Sequence, residues 1–151
     1  MQDLRSILLA EDSPQDVELI LAALGEHNLA NEVVVVKDGA EALDYLYRRA
    51  AYASRPEEQP ALVLLDLKMP KIDGLQVLRT IKEDNNLKSL PVVMLTSSRA
   101  ESDLLASYKM GVNAYVVKPV DFQQFVKAVS MVGVFWAVVN EPPPGSIKKF
   151  E

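Results

Sequence analysis

This chain predicts a doubly wound α/β domain, on three observations. Five short apolar runs recur along it, at about 5–10, 33–36, 61–65, 92–95 and 114–117. The intervals between them carry apolar residues at helical spacing, the alternation expected of βαβ units around a parallel sheet. No Gly-rich dinucleotide fingerprint is present. Five such units without that fingerprint predict the flavodoxin-like topology: a five-stranded parallel sheet in the order 2-1-3-4-5, with five helices.

Each element has its own local reason. After strand one, Ser13 is a good N-cap and Pro14 suits the first helical position, where its missing N–H costs nothing. Val17, Ile20, Leu21 and Leu24 then supply a buried face, and Gly25 suits the exit. Strand two is the run Val33-Val34-Val35-Val36. Asp38 with Glu41 three residues on is a capping-box pattern opening helix two, whose inner stripe is Ala42, Leu43, Leu46 and Tyr47. A polar loop from Pro56 to Pro60 leads to strand three. Pro70 and Asp73-Gly74 mark the loop before helix three, which carries Leu75, Leu78 and Ile81. Strand four precedes a helix from about Ser98 to Met110, closed by Gly111, and strand five precedes a helix starting near Asp121. The segments are one domain over 1–140 and a proline-rich tail over 141–151, with no internal repeat.

Composition narrows the function. A chain of 151 residues is enough for one domain that buries about two-thirds of its unfolded surface. Sixteen Lys and Arg against 21 Asp and Glu give a net charge of −5, a poor match to nucleic acid or an anionic membrane. Without cysteine there are no disulfides and no thiolate metal sites. The first residues lack a signal-peptide pattern, and the long apolar stretch near the C-terminus is short for a bilayer. A cytoplasmic location is expected.

Four polar residues follow four of the apolar runs: Asp12, Asp66, Thr96 and Lys118. In an open parallel sheet the carboxyl ends of the strands share one edge, where ligands bind at the switch in strand order. Glu11, Asp12 and Asp66 would meet there, and their mutual repulsion would be relieved by a hard divalent cation with oxygen ligands, Mg²⁺ fitting so open a site. Asp66, ending the most apolar strand, is the candidate nucleophile for a phosphoryl group. Lys118 can pair with one phosphoryl oxygen and the Thr96 hydroxyl can donate to another. The bland alternative is that the acidic residues only cap helices, an alternative that weighs most for Glu11 taken alone.

The chain resembles the receiver domains of two-component response regulators over about residues 4–140. The matching pieces are Ile7-Leu8-Leu9-Ala10-Glu11-Asp12, Leu64-Leu65-Asp66-Leu67-Lys68-Met69-Pro70, Asp73-Gly74, Pro91-Val92-Val93-Met94-Leu95-Thr96-Ser97 and Val117-Lys118-Pro119. The resemblance implies that Asp66 accepts phosphate from a sensor kinase's phosphohistidine. It implies that Glu11, Asp12, Asp66 and the backbone carbonyl of Lys68 hold Mg²⁺, and that the Lys118–Pro119 bond is cis. It also implies a switch in which Thr96 moves toward the phosphate and the Tyr115 ring turns inward. Lys68 and Ser98 border the pocket and could tune the acyl phosphate's lifetime.

Helix five carries two apolar stripes. Phe122, Phe125, Val126, Val129, Gly133 and Trp136 are enough to cover the sheet, while Met131, Val134, Phe135 and Val138 point elsewhere. The second stripe calls for another chain, or for the proline-rich tail folded back over it. The Phe135-Trp136 pair and the longer loop from Tyr47 to Pro60 resemble the single-domain regulators that partner bacterial phytochrome kinases and tend to be homodimers. On that resemblance Met131, Val134, Phe135, Trp136 and Val138 are the expected dimer interface. His27 and Lys148-Lys149 read as surface residues. The expectation is a stand-alone phosphoacceptor rather than an enzyme, with no output domain after helix five. Two rivals remain. An aspartyl phosphatase commonly has a second carboxylate two residues after its nucleophile, where this chain has Lys68. A flavin carrier needs an anion-cradling loop where this chain has Glu11-Asp12-Ser13-Pro14.

Overall fold

A computed structural model of the chain describes residues 6–25, 32–56, 58–97, 101–118, 123, 124 and 127. Its elements run in the order β1 (Ile7–Ala10), α1 (Pro14–Gly25), β2 (Val33–Val36), α2 (Gly39–Tyr47), a 3₁₀ turn (Ala50–Tyr52), β3 (Leu62–Asp66), α3 (Gly74–Glu83), β4 (Val92–Thr96), α4 (Glu101–Lys109) and β5 (Ala114–Val117). The sheet is wholly parallel, in the order β2-β1-β3-β4-β5. This is the expected topology. Residues 123, 124 and 127 are helical, but the rest of helix five, both its stripes and the tail lie outside the described residues.

Burial explains the character of the strands. Every residue of β1, β3 and β4 is buried, because helices cover both faces of a parallel sheet, and their sequences are accordingly apolar throughout. The edge strand β2 is buried only at Val36. In α1, Ile20 is buried and Val17 and Leu21 are half-buried, as expected of the inner face.

Two local expectations are corrected. In α2 the inner stripe contains Tyr45 rather than Tyr47, which is 37% exposed. The Tyr47 hydroxyl instead donates to Asp84 Oδ2 at 2.6 Å while the Arg49 guanidinium lies over its ring, so polar partners hold it at the surface. The capping box opens α3 rather than α2. Asp73 Oδ1 accepts from the Gln76 N–H at 2.9 Å, and Gln76 Oε1 accepts from the Asp73 N–H at 3.3 Å. At α2 only half a box forms: Asp38 Oδ1 accepts from the Glu41 N–H, but the Glu41 carboxylate serves the Lys37 N–H and the Tyr52 hydroxyl. In α3 the expected Leu78 and Ile81 are in the core with Val77 beside them, and Leu75 packs against its margin. Helix α4 begins at Glu101, with 98–100 outside the described residues; Gly111 closes the segment at φ +98°, a left-handed conformation suited to glycine.

The long loop after α2 is tightly held by Arg55. Its guanidinium donates to the carbonyls of Tyr45, Leu46, Pro56 and Glu58 and to Gln59 Oε1, and it stacks 4.2 Å over the Tyr45 ring. Burial pushes its pKa below the usual value, yet no water is needed as an acceptor because the guanidinium's donors are met by protein oxygens. Arg55→Ala strands several carbonyls and removes the stacking. It should cost about 2–3 kcal/mol, or roughly 5–10 °C in thermal midpoint. A melting curve unchanged by the substitution would show that the loop is held by something else.

Candidate phosphoryl and cation site

Register brings the strand tips together. Ala10 pairs with Leu65, Asp66 with Leu95 and Thr96 with Val117, so β1, β3, β4 and β5 all end at one edge of the sheet. Glu11 and Asp12 follow β1 directly, Asp66 and Thr96 are the last residues of β3 and β4, and Lys118 follows β5. The backbone locks this edge: the Glu11 N–H donates to the Val36 carbonyl at 3.0 Å, and the Lys118 N–H to the Thr96 carbonyl at 2.8 Å. Beneath it, Gly74 allows α3 to start against β3. A Cβ there would overlap the Asp66 carbonyl oxygen.

The carboxylates of Glu11, Asp12 and Asp66 offer oxygens within 4.8 Å of one another. Glu11 and Asp66 are buried, whereas Asp12 faces water. The Lys118 ammonium enters from the β5 side. It donates to Glu11 Oε1 at 2.7 Å and to Asp16 Oδ2 at 2.9 Å, and stands 3.5 Å from Asp66 Oδ1. Glu11 Oε2 also accepts from the Ser13 N–H at 3.2 Å. Burial, reinforced by the Glu11 charge and only partly opposed by Lys118, pushes the Asp66 carboxyl up to about 7. Burial alone would lower the Lys118 ammonium, but its hydrogen bonds to Glu11 and Asp16 and the nearby Asp66 charge outweigh that and raise it.

These residues fit a divalent cation. Three carboxylates (Glu11, Asp16 and Asp66) lie within 4 Å of one ammonium, and Asp12 adds a fourth beside Glu11 and Asp66, so the pocket is short of positive charge. Burial is the main reason the Asp66 carboxyl is raised, and the Glu11 charge beside it adds to the effect. The donors are oxygens, the site is open on the Asp12 side, and Mg²⁺ or a similar hard cation tolerates such a half-aqueous shell.

Other expected site residues fall as follows. Tyr115 is half-buried on β5, paired with Met94 and packed against the core. Thr96 is buried at its strand end, one residue past the partner of Asp66. Lys68 is exposed in the loop after β3. Ser98, Pro119 and the five expected interface residues Met131, Val134, Phe135, Trp136 and Val138 lie outside the described residues. Sequence reasoning missed Asp16. Three positions after the N-cap Ser13, it reads as a helix-start acid, and its N–H does donate to Ser13 Oγ at 3.2 Å. Only the fold reveals that its side chain reaches Lys118.

Fold and site together define a parallel α/β domain with a lysine-braced acidic pocket at the carboxyl edge of its sheet. The chain belongs to the response regulator receiver domain family, whose profile matches residues 7–130. It is 39% identical over 130 residues to response regulator Rcp1 of Synechocystis sp. (strain ATCC 27184 / PCC 6803 / Kazusa), an alignment covering 86% of this chain and 87% of Rcp1. An Mn²⁺-bound structure of Rcp1 superposes with a TM-score of 0.73 at 37% identity, over 92% of this chain and 99% of that one. The bacteriophytochrome response regulator AtBRR is 61% identical, with a TM-score of 0.85 over 93% of this chain and all (100%) of its own. The phosphorylated cyanobacterial phytochrome response regulator RcpA is 41% identical, with a TM-score of 0.74 over 89% of this chain and 94% of its own. Among the described residues no helix is long and apolar enough to cross a membrane.

Proposed function

We propose that this receiver accepts a phosphoryl group on Asp66, in a Mg²⁺-dependent reaction, from a sensor histidine kinase of the phytochrome type. The observation that carries the reading is the convergence of Glu11, Asp12, Asp66 and Lys118 at one sheet edge. It draws support from RcpA, solved in a phosphorylated form, from Rcp1, solved with Mn²⁺, and from the phytochrome pairing in the names of AtBRR and RcpA.

In this reaction an Asp66 carboxylate oxygen forms a bond to phosphorus as the P–N bond to the donor histidine breaks, and the leaving imidazole takes up a proton. Little further covalent chemistry is asked of the protein, so the contribution of the site is placement and charge. Lys118 meets one phosphoryl oxygen as a compact point charge, and the Thr96 hydroxyl donates to another. Glu11, Asp12, Asp66 and the Lys68 carbonyl would hold the Mg²⁺, which neutralises charge on the transferring group when bound. The added phosphate then biases a two-state surface through Thr96 and Tyr115, because it can shift only an equilibrium whose two states it contacts differently.

The output is a change in protein contacts rather than turnover of a released substrate. We read the second stripe of helix five (Met131, Val134, Phe135, Val138, with Trp136) as a homodimer interface, the location as cytoplasmic, and neither nucleic acid nor membrane as a partner of so acidic a chain. The test is incubation with a phosphorylated phytochrome-type kinase in Mg²⁺ or in chelator, followed by peptide mapping. Acyl phosphate on the peptide containing Asp66, formed only with the cation, is expected. Label on any other side chain, or incorporation indifferent to chelation, would overturn the reading.

A further inference from the structure

An ammonium has three N–H donors. Two of those on Lys118 are engaged, by Glu11 Oε1 at 2.7 Å and Asp16 Oδ2 at 2.9 Å. The next acceptor, Asp66 Oδ1 at 3.5 Å, is within ion-pair reach but too far for a good hydrogen bond. The two anchors differ. Glu11 is buried and holds the ammonium from the β1 side, while Asp16, with its side chain 36% exposed, holds it from α1, across 102 residues of chain. The Lys118 side chain is only 12% exposed although its head lies beside an open pocket.

We propose that Asp16 is a positioning residue for Lys118: with Glu11 it fixes the ammonium from two sides, so that the third N–H is kept for a phosphoryl oxygen on Asp66. The inference rests on the phosphoacceptor reading of Asp66. A lysine head is a compact charge on a flexible four-carbon stem, and one anchor leaves it free to rotate. Without Asp16 the ammonium, still bonded to Glu11, pivots onto the nearest anion it does not yet bond, the Asp66 carboxylate at 3.5 Å, and ties up the oxygen that must attack phosphorus. Asp16 therefore keeps Lys118 close to the nucleophile without letting it bond there.

The test uses the full chain, Mg²⁺ and acetyl phosphate as the phosphodonor. Asp16→Ala should slow phosphoryl incorporation roughly tenfold, the scale of a modest misplacement of a reacting group. Asp16→Asn loses the same charge at the start of α1 but keeps an acceptor oxygen, so it should recover part of the rate. Both variants lose the same charge at the helix start and alanine is the better helix former, so faster uptake in Asp16→Asn than in Asp16→Ala points to the bond to Lys118. Asp16→Ala combined with Lys118→Ala should be no slower than Lys118→Ala alone, since the two act through one group. A rate for Asp16→Ala equal to wild type, no recovery in Asp16→Asn, or additive losses in the double variant would overturn the proposal. A second readout does not depend on phosphorylation. In a ¹H–¹⁵N spectrum tuned to lysine ammonium groups, the protected signal that Lys118→Ala removes should also vanish in Asp16→Ala, and its persistence would refute the anchoring. Should wild-type protein take up no phosphoryl group at all, the phosphoacceptor reading fails by itself, and this spectrum still decides whether Asp16 holds Lys118.

Discussion

Asp66→Asn is expected to end phosphoryl incorporation and, in the absence of divalent cations, to make the folded protein more stable. The second effect follows from the environment of the carboxyl. Burial, then the Glu11 charge, raise it from an ordinary 3.8 to about 7, against the smaller pull of Lys118. The folded state thus holds the Asp66 proton more tightly than the unfolded chain does. Below about pH 4 the carboxyl is protonated in both states and exacts no penalty. As pH climbs toward 7 the unfolded chain ionises first, and folding must either keep the proton or bury the charge; above 7 the penalty is complete. A shift of this size corresponds to roughly 4 kcal/mol, which water at the open mouth of the pocket reduces to the order of 2. Asparagine has the same shape and no charge to bury. The Asn variant should therefore match wild type near pH 4 and exceed it by that margin near pH 8, as read from urea midpoints in chelator. Saturating Mg²⁺ should close much of the gap by stabilising wild type selectively. Equal midpoints for the two proteins at pH 8 would mean that the acidic cluster is not electrostatically strained.

That strain was visible in the sequence only as an arrangement of types. The strand tips were legible because β1, β3 and β4 are buried on both faces, so their residues form unbroken apolar runs and the first polar residue marks the end of each run. From there the parallel topology puts Asp66, Thr96 and Lys118 at one edge without further information. Side-chain partners were less legible. Tyr47 and Tyr45 both suit a helix with one apolar face, and the choice between them was made by Asp84, 37 residues along the chain. Glu41 sits at capping-box spacing from Asp38, but the Tyr52 hydroxyl, from the 3₁₀ turn, competes for its carboxylate at 2.6 Å. Asp16 looked like a helix-start acid because it also is one; its second partner arrives only with β5. Arg55 was concealed in a polar loop for the same reason, since backbone carbonyls are its main acceptors and they carry no sequence signature. Local spacing thus identifies an element, while long-range packing chooses among its polar contacts.

Gly74→Ala should be among the most damaging single substitutions outside the acidic cluster. Asp73 followed by Gly74 could be read as turn chemistry alone, yet the glycine's conformation is not the constraint. Its added Cβ would overlap the Asp66 carbonyl oxygen and meet Leu67 Cα at 2.8 Å and the Asp66 carbonyl carbon at 3.0 Å. All three are backbone atoms of β3 and its exit, and the Gly74 N–H is tied to the Leu67 carbonyl at 2.8 Å, so neither partner can rotate away. Gly39 meets a similar wall: a Cβ there would overlap the Ile72 carbonyl oxygen, where Lys71 at φ 68° turns the loop sharply back. Relief at Gly74 must come from moving α3 off the sheet or displacing the end of β3. The first opens the core around Val77, Leu78 and Ile81, all fully buried, and the second shifts the acceptor carboxyl itself. Either should cost at least about 3 kcal/mol, the range of severe overpacking against unyielding backbone. Gly111→Ala makes an informative comparison: its Cβ would touch only the flexible Lys82 side chain, at 3.4 Å, so its cost is that of holding alanine at φ +98°. Gly74→Ala should therefore lower the urea midpoint more than Gly111→Ala and, in whatever fraction stays folded, slow phosphoryl uptake by Asp66, which Gly111→Ala should not. Wild-type stability and labelling in Gly74→Ala would show that β3 and α3 do not need this close approach to place the acceptor.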